Sequence, residues 1–315
     1  MPLGLKLLHL AARYGRYVLV AGLAAGIVFP ALALAMKPWL GEGVTLMLFF
    51  AALRIGPRAA AGTLRDLRKA VALTAVFQLA VPLVLVVAFL VTGFDGPLAV
   101  AIIVMASACS IIGSPSLTLL TGHDPAPALR LLIVGTALLP LTVLPVFWLS
   151  PEFGSIHAVL LTAAKLLGAI ALASGAAFVI RQMWLPDPKR ETLQALDGLS
   201  AIIMAIVVIG LMSAVGPALT SDPGQVIAML AITCAFNLGL QVIAWVALSG
   251  APSLSERVSW SVIAGNRNMG LFLVALPQAV TDPILLYIGC YQVPMFLTPL
   301  LLGWLYKPDA RARSG

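Results

Sequence analysis

Ten apolar runs, joined by brief connections, constrain most strongly what this chain can fold into. They lie at about 17–36, 40–53, 71–92, 97–120, 127–149, 156–180, 198–218, 225–249, 254–280 and 283–306. Runs of about 20 apolar residues predict membrane-spanning helices, and only the second run is short. The chain is 61% hydrophobic and 10% charged, whereas a soluble domain carries roughly 25% charged residues. We therefore expect an all-α integral membrane protein in which residues 1–315 form one membrane domain.

The basic side chains predict the orientation of these spans. If both termini are cytoplasmic, all but three of the 19 lysines and arginines fall in cytoplasmic segments. Lys37 lies in an outside loop, and Lys165 and Arg267 fall inside spans. Because cytoplasmic loops are enriched in Lys and Arg, we predict ten spans of the cell inner membrane with both ends inside. This distribution accounts for the net charge of +7 without a nucleic-acid partner. Residues 1–16 are predicted to form an interfacial helix.

Two of the runs are interrupted by polar and backbone-loosening residues. The ninth contains the stretch Ala264–Gly270, with two glycines, two asparagines and Arg267. The fourth contains Ser110–Ser116, with Gly113 and Pro115. Such residues are costly in lipid, and they are tolerated where a helix is broken and faces protein or a watery cavity. Broken helices near the bilayer midplane are a common way for secondary transporters to build their sites.

A weak internal repeat relates the two halves of the chain. Leu131–Pro140 matches Leu285–Pro294 at four of ten positions, with an offset of 154 residues. The same offset places Gly113-Ser114 on Arg267-Asn268. Each half then has five spans, with a broken fourth span and a matching fifth. Because five is an odd number, the second half must insert in the opposite orientation to the first. Inverted repeats with paired broken helices predict an alternating-access transporter.

Arg267 and Lys165 are the two cations predicted to lie within spans, and none of the 12 acidic residues falls near the centre of a predicted span. Arg267 has two interpretations: its guanidinium clamps a carboxylate of the substrate, or it ties off carbonyls at the broken helix ends. Helix N-termini at the breaks would add positive potential for an anion. Lys165 either snorkels in a crevice between helices or faces the transport cavity.

Other polar residues in the spans divide into two groups. Ser110, Ser114, Ser116, Asn266 and Asn268 flank the breaks and are candidates for contact with an ion or substrate. Gln78, Asn237, Gln241 and Gln292 are expected to form interhelical hydrogen bonds. The three cysteines lie in apolar runs and predict neither a disulfide framework nor a metal site. Without a nucleophile–base pair or an acidic dyad, we do not expect an enzyme.

At these residues the chain resembles the bile acid:sodium symporter family. The most specific stretch, Gly265-Asn266-Arg267-Asn268-Met269-Gly270-Leu271, is similar to a ninth-span motif with a Gln-Asn pair and a Gly-Leu, and Ser110–Gly122 resembles the fourth-span motif less closely. The resemblance implies ten helices in two inverted repeats, with broken helices 4 and 9 crossing. It implies a core of about 71–149 and 225–306 that moves against a panel of about 17–53 and 156–218. It also implies transport of organic anions driven by sodium.

The sequence departs from the family where sodium would bind. Ile263 stands at the position of a family glutamate, and Arg267 stands at the glutamine. Repulsion from a fixed cation would oppose sodium at the nearest site. We therefore do not expect conventional sodium coupling, and we hypothesise that Arg267 replaces one bound sodium ion. Transport would then be uniport, exchange or proton-linked, with Lys165 as a candidate proton carrier.

These observations predict a secondary transporter of a small or amphipathic organic anion in the lipid bilayer, with no cofactor other than a possible sodium ion. The alternatives are a carrier of another solute, similar to arsenite or auxin carriers, and a non-transporting sensor on the same fold. The family-like positions include Thr136 and Gln78. The candidate site residues are Gln78, Ser110, Gly113, Ser114, Ser116, Thr136, Lys165, Gly265, Asn266, Arg267 and Asn268.

Overall fold

The protein is an all-α, multi-pass membrane protein. The computed structural model describes residues 3–62 and 66–307, and these contain no β-strand. Within them seven helices are long and apolar enough to cross a membrane: Pro30–Ile55, Leu67–Thr92, Ala126–Leu149, Ile156–Trp184, Arg190–Ser221, Pro223–Ala247 and Gln278–Leu301. Two shorter apolar helices, Tyr17–Val28 and Pro97–Ser107, accompany them. The basic residues Arg65, Arg311 and Arg313, which the orientation argument also uses, lie outside the described residues.

The α-helices are numbered here in chain order. In the first half they are α1 Leu3–Arg13, α2 Gly15–Val28, α3 Pro30–Met36, α4 Leu40–Ile55, α5 Pro57–Gly62, α6 Leu67–Ala75, α7 Val81–Thr92, α8 Pro97–Ser107, α9 Ser114–Leu120 and α10 Ala126–Leu149. In the second half they are α11 Ile156–Trp184, α12 Arg190–Leu211, α13 Val215–Ser221, α14 Pro223–Ala247, α15 Leu254–Gly265, α16 Gln278–Thr281 and α17 Leu285–Leu301. A π-helical turn, Val76–Ala80, joins α6 to α7, and the 3₁₀ segment Met269–Val274 follows α15.

The boundary predicted between the first two spans is wrong. Residues 17–36 are not one helix, because the chain leaves helical geometry at Phe29, with φ −116° and ψ 77°. A residue before proline is disfavoured in the helical region, and Pro30 then starts α3. From there one continuous helical segment runs to Ile55, through a short 3₁₀ turn at Lys37–Trp39. Lys37 therefore lies within this segment rather than in a loop, and its ammonium pairs with Asp282 at 3.0 Å.

Helix α12 is the centre of one group of helices. Gly22 of α2 packs against Ala205, and Gly43 of α4 packs against the side chain of Val207. A Cβ atom on Gly22 would lie 2.8 Å from the Ala205 carbonyl oxygen, so these glycines set the close approach of the helices. Helix α11 packs beside α4 through Ala177, which touches the α4 residues Ala52 and Leu53.

The N-terminal helix α1 packs along the first turns of α12. The His9 side chain donates from Nε2 to the Glu191 carbonyl at 3.0 Å. The backbone of Leu8 passes directly over Gly198, where a side chain would collide with the Leu8 carbonyl. The predicted interfacial segment is thus a helix that docks on α12.

A second group of helices encloses α8. Every residue from Ala99 to Ile111 is buried, so α8 and the segment after it occupy the middle of the protein. Helices α10 and α17 each contain two internal prolines, Pro140 with Pro145 and Pro294 with Pro299. Internal proline removes a helix hydrogen bond and bends the helix. The interrupted segments predicted from the sequence lie inside this second group.

Candidate functional site

The two interrupted helices cross and complete each other's backbone hydrogen bonding. Helix α8 ends at Ser107 and α15 ends at Gly265, and the residues that follow are extended. The amide of Ile111 donates to the Asn266 carbonyl at 3.0 Å, and the amide of Asn268 donates to the Cys109 carbonyl at 2.8 Å. These bonds pair Ser110 with Arg267 in an antiparallel bridge. Broken backbone inside a membrane protein must be satisfied in some such way, because water is scarce there.

Arg267 lies at the centre of this crossing and is 2% exposed. Its guanidinium donates to three carbonyl oxygens: Nε to Ala264 at 2.9 Å, Nη1 to Ala108 at 3.1 Å, and Nη2 to Phe77 at 3.2 Å. The Phe77 ring centroid lies 5.3 Å from the guanidinium carbon, within the range of a cation–π contact. One side chain therefore ties together α15, α8 and the α6–α7 segment.

The Phe77 carbonyl is free to accept this bond because of the π-helical turn. In an α-helix it would accept from the amide of Val81. Here the Val81 amide donates to the Val76 carbonyl instead. The next residue, Pro82, has no amide hydrogen to offer. A carbonyl in the middle of a long helix is thus left for the arginine, and π-helical turns are frequent at functional sites.

The electrostatics of the crossing suit a fixed cation. Helices α8 and α15, of 11 and 12 residues, both end at the crossing with their C-termini. A helix C-terminus carries about half a negative charge, so two of them together match the single positive charge of Arg267. This arrangement favours the interpretation that Arg267 ties off carbonyls at the broken helix ends. It does not favour the other interpretation, in which the guanidinium clamps a carboxylate of the substrate.

The carbonyl of Gly265 anchors a second polar group beside the crossing. It accepts from Asn237 Nδ2 at 2.6 Å and from the hydroxyl of Tyr291 through a very short hydrogen bond. Asn266 Oδ1 accepts from Asn237 Nδ2 at 3.3 Å and from Thr298 Oγ1 at 3.2 Å. The end of α15 is therefore held by α14 on one side and by α17 on the other.

Gln241 extends this polar group towards the end of the chain. Its Nε2 donates to Asn237 Oδ1 at 2.8 Å and to Thr298 Oγ1 at 3.2 Å, and its Oε1 accepts from the Tyr306 hydroxyl at 3.1 Å. The Tyr306 side chain is fully buried, so water does not compete for this hydrogen bond. The interhelical role predicted for Asn237 and Gln241 is confirmed. Gln292 differs, because it donates to the Ile288 carbonyl of its own helix.

We expect Tyr306→Phe to lower the free energy of unfolding by about 1–2 kcal/mol, since a buried amide oxygen of Gln241 then loses its donor. Tyr287→Phe is the matched control, because the Tyr287 hydroxyl is buried without a hydrogen-bond partner among the described residues. Thermal unfolding of both purified variants measures the difference. Equal stability losses in the two would show that the Tyr306 hydroxyl contributes nothing to the crossing.

The candidate residues of the first half form a smaller cluster. Ser110 Oγ donates to Ser114 Oγ at 2.7 Å, and Thr136 Oγ1 donates to Cys109 Sγ at 3.5 Å. Gln78, in the π-helical turn, accepts from Thr142 Oγ1 at 3.3 Å. These buried side chains join α6–α7, the crossing and α10, and Gln78 takes the interhelical role predicted for it.

The remaining candidates lie apart from these hydrogen bonds. Ser116 is exposed on α9, and Lys165 is exposed on α11. Gly113 has an ordinary helical φ of −77°, and a Cβ there would meet nothing within 4 Å, so its backbone does not need glycine. Asn268 is half-buried, and its side-chain amide makes no hydrogen bond within the described part of the chain.

An open cleft of about 530 Å³ borders the second half of the crossing. Its wall on one side is the 3₁₀ segment Met269–Val274, and its other walls are α4 and α11. Gly270 of this segment faces Val44 of α4, where a Cβ would lie 3.1 Å from the valine side chain. The cleft is lined by Pro38, Gly41, Glu42, Thr45, Leu46, Phe49, Leu172, Ala173, Ala176, Leu273 and Val274.

Glu42 is the residue of this cleft that sequence reasoning missed. The prediction placed it at the start of a short span, whereas it lies in the middle of the helix Pro30–Ile55. It is also in the first turn of α4, which matches the span predicted for residues 40–53. The dipeptide Phe29-Pro30 was the signal for the true start of this helix, because proline favours a first helical turn.

No protein-family model matches this chain, and no curated protein matches it. The assignment of a function rests on the crossing, the buried arginine and the cleft beside them.

Proposed function

We propose that the protein is a secondary transporter of a small or amphipathic organic anion that works by alternating access and resembles the bile acid:sodium symporters. The crossing of two interrupted helices with a buried arginine between them carries this proposal. Interrupted helices in a membrane protein cost backbone hydrogen bonds, and they occur where a site for a solute or ion is built. The open cleft against one of the interrupted helices offers a path for the solute.

The proposed architecture is ten helices in two inverted repeats of five. Besides the match that ends at Pro140 and Pro294, the prolines Pro145 and Pro299 also share the offset of 154 residues. In each half a long, proline-containing helix follows the interrupted one. The antiparallel bridge between the two interruptions also has local two-fold symmetry, as inverted repeats require.

The ion pairs agree with the predicted division of the segments between two sides of the membrane, and we propose that both termini are cytoplasmic in a cell inner membrane. Among the described residues, four pairs join segments predicted to be cytoplasmic: Arg54–Asp197, Arg58–Asp187, Lys69–Glu256 and Arg130–Asp66. The fifth, Lys37–Asp282, joins a residue between the first two apolar runs to one between the last two, and ten spans with cytoplasmic termini place both connections outside. None of these five pairs joins opposite sides. We further propose that the core, about 71–149 and 225–306, moves against the panel, about 17–53 and 156–218, with the cleft between them.

The proposed transporter works without sodium, because Arg267 takes the place of one bound cation. Carbonyl oxygens at helix breaks are typical ligands of sodium in transporters, and here three carbonyls bind the guanidinium. Ile263 stands where the bile acid:sodium symporter family has a glutamate, and it is buried in an apolar cluster. An arginine remains protonated at every physiological pH, so the crossing would be closed permanently.

We expect the unfolding temperature of the purified protein to be the same in sodium, potassium and choline chloride of equal ionic strength. A ligand that binds only the folded state raises stability with its concentration, and no such rise is expected for sodium. The measurement is a thermal unfolding series across the three salts. A saturable rise in sodium alone would contradict the replacement by Arg267 and return sodium symport as the mechanism.

Alternating access is tested by labelling a single cysteine in the cleft. Cys109, Cys234 and Cys290 are replaced first, and Thr45→Cys then places a thiol at the cleft wall. We expect a membrane-impermeant maleimide to label this thiol from outside in intact vesicles and from inside in inverted vesicles. Ser249→Cys, in the exposed turn between α14 and α15, controls for vesicle sidedness. Labelling of the cleft from one side only would refute transport and favour the non-transporting sensor.

A further inference from the structure

Glu42 is an acidic side chain within the membrane-spanning helix Pro30–Ile55. It lies 12 residues after the first and 13 residues before the last residue of the helix Pro30–Ile55. Its side chain is exposed and lines the cleft between α4, α11 and the Met269–Val274 segment. Carboxylates are rare within membrane-spanning helices, and they face a cavity and serve binding or transport when they occur.

Lys165 lies on the face of α11 that borders the same cleft. It precedes the cleft residues Leu172 and Ala176 by seven and eleven positions, which is the spacing of one helical face. Helices α4 and α11 run in the same direction, since Ala52 and Leu53 form one cluster with Ala177, and Gly56 faces Arg181. This register puts Lys165 about 3 Å in height from Glu42, at 1.5 Å of rise per residue.

Neither charge has a partner in the structure. Within the described residues, Glu42 and Lys165 form no ion pair and no side-chain hydrogen bond. Their side chains are nevertheless opposite in charge, similar in depth and exposed on helices that flank one cleft. If the cleft bound no ligand, an ion pair between Glu42 and Lys165 would lower the free energy of the protein, because unpaired charges are costly in a membrane interior.

We propose that the cleft binds a solute that carries both an ammonium and a carboxylate group, with the ammonium at Glu42 and the carboxylate at Lys165. The apolar part of the solute packs on Leu46, Phe49 and Val274, which line the same cleft. The inference rests on the proposed function, and it narrows the organic anion to carboxylates that are also ammonium ions, such as apolar α-amino acids.

The two charges argue against simpler solutes in the cleft. A plain carboxylate would have Lys165 as its partner but would also face the Glu42 carboxylate. A plain amine would have Glu42 as its partner but would also face the Lys165 ammonium. Only a dipolar solute satisfies both charges, and discrimination against an analogue that lacks one group is strong when the site is left with an unpaired charge.

The test uses three molecules that share one apolar skeleton. L-Leucine carries both groups, 4-methylpentanoate lacks the ammonium, and 3-methylbutylamine lacks the carboxylate. We expect L-leucine to raise the unfolding temperature of the purified protein in lipid nanodiscs in a saturable way, while neither analogue does so at the same concentration. L-Phenylalanine and L-proline are measured in parallel. No stabilisation by any of the three amino acids, or equal stabilisation by 4-methylpentanoate, overturns the proposal.

Two variants assign the roles of the charges. We expect Glu42→Gln to weaken binding of the stabilising amino acid about 30-fold or more. This variant should no longer bind the amino acid more tightly than the matching acid, which lacks the ammonium group. Lys165→Met should no longer bind the amino acid more tightly than the matching amine, which lacks the carboxylate. Glu152→Gln is the control, since Glu152 lines a different cavity, near Asp95 and Ser150. Unchanged selectivity in the first two variants overturns the assignment.

Failure of this proposal and failure of the proposed function give different results. If the amino acids do not bind but a cysteine at Thr45 is labelled from both sides of the membrane, the protein remains a transporter with another solute. If an amino acid binds but labelling occurs from one side only, the cleft is a receptor site for a dipolar solute.

Discussion

Arg267→Gln is expected to destabilise the protein more than any other polar substitution at the crossing. The shorter amide cannot reach the carbonyls of Ala108 and Phe77 together, and each buried carbonyl without a donor costs about 1–3 kcal/mol. Two helix C-termini would also lose the charge that compensates them. We expect the free energy of unfolding to fall by about 2–6 kcal/mol, measured by thermal or denaturant unfolding in a lipid environment.

The same variant tests whether Arg267 stands in for a cation. If it does, sodium should raise the unfolding temperature of Arg267→Gln but not of the unmodified protein, because the carbonyls of the crossing become available to a metal ion. Arg130→Gln is the control for loss of an arginine, since Arg130 pairs with Asp66 at the end of a helix and is partly exposed. That change should cost about 0–1 kcal/mol. An Arg267→Gln protein as stable as the control would exclude an essential charge at the crossing.

Gly265→Ala is the second substitution with a large expected effect. A Cβ atom at Gly265 would collide with the backbone carbonyl of Asn237 and would lie 2.6 Å from Cγ of Gln241. Backbone atoms cannot give way as a flexible side chain can, so α14 and α15 would have to separate. The separation would also break the hydrogen bonds of Asn237 to the end of α15. We expect a loss of about 3 kcal/mol or more in the free energy of unfolding.

Gly239→Ala provides the comparison within the same helix pair. Gly239 lies on α14 two residues before Gln241, and a Cβ there meets nothing within 4 Å. Alanine in place of a helical glycine stabilises by roughly 0.5–1 kcal/mol. Expression level and unfolding temperature of the two variants, measured side by side, separate the steric effect from the general effect of glycine removal. Similar stability in both would mean that α14 and α15 do not pack as closely as described.

Much of the architecture could be predicted from hydropathy alone. The lengths of the apolar runs indicated an all-α membrane protein, and the described helices confirm it. The interruptions at Ser110–Ser116 and Ala264–Gly270 marked where the two helices leave helical geometry, because polar and glycine residues have no place in an unbroken lipid-facing helix. The predicted break in the fourth run was slightly late. Pro115 lies in the first turn of α9, where its missing amide costs nothing, and the extended residues are those from Ala108 onward.

By itself, then, the sequence determined that the chain lies in a membrane, that it is helical, and that one arginine lies within an interrupted helix. The tertiary structure decided what that arginine binds. Two of its three carbonyl partners, Ala108 and Phe77, lie 159 and 190 residues away in the sequence, and no local pattern brings such distant residues together. The tertiary structure also decided what surrounds Glu42, because α4, α11 and the Met269–Val274 segment form one cleft around it. A hydropathy run records how many residues are apolar, but it does not record which helices pack together to form the walls of a cleft.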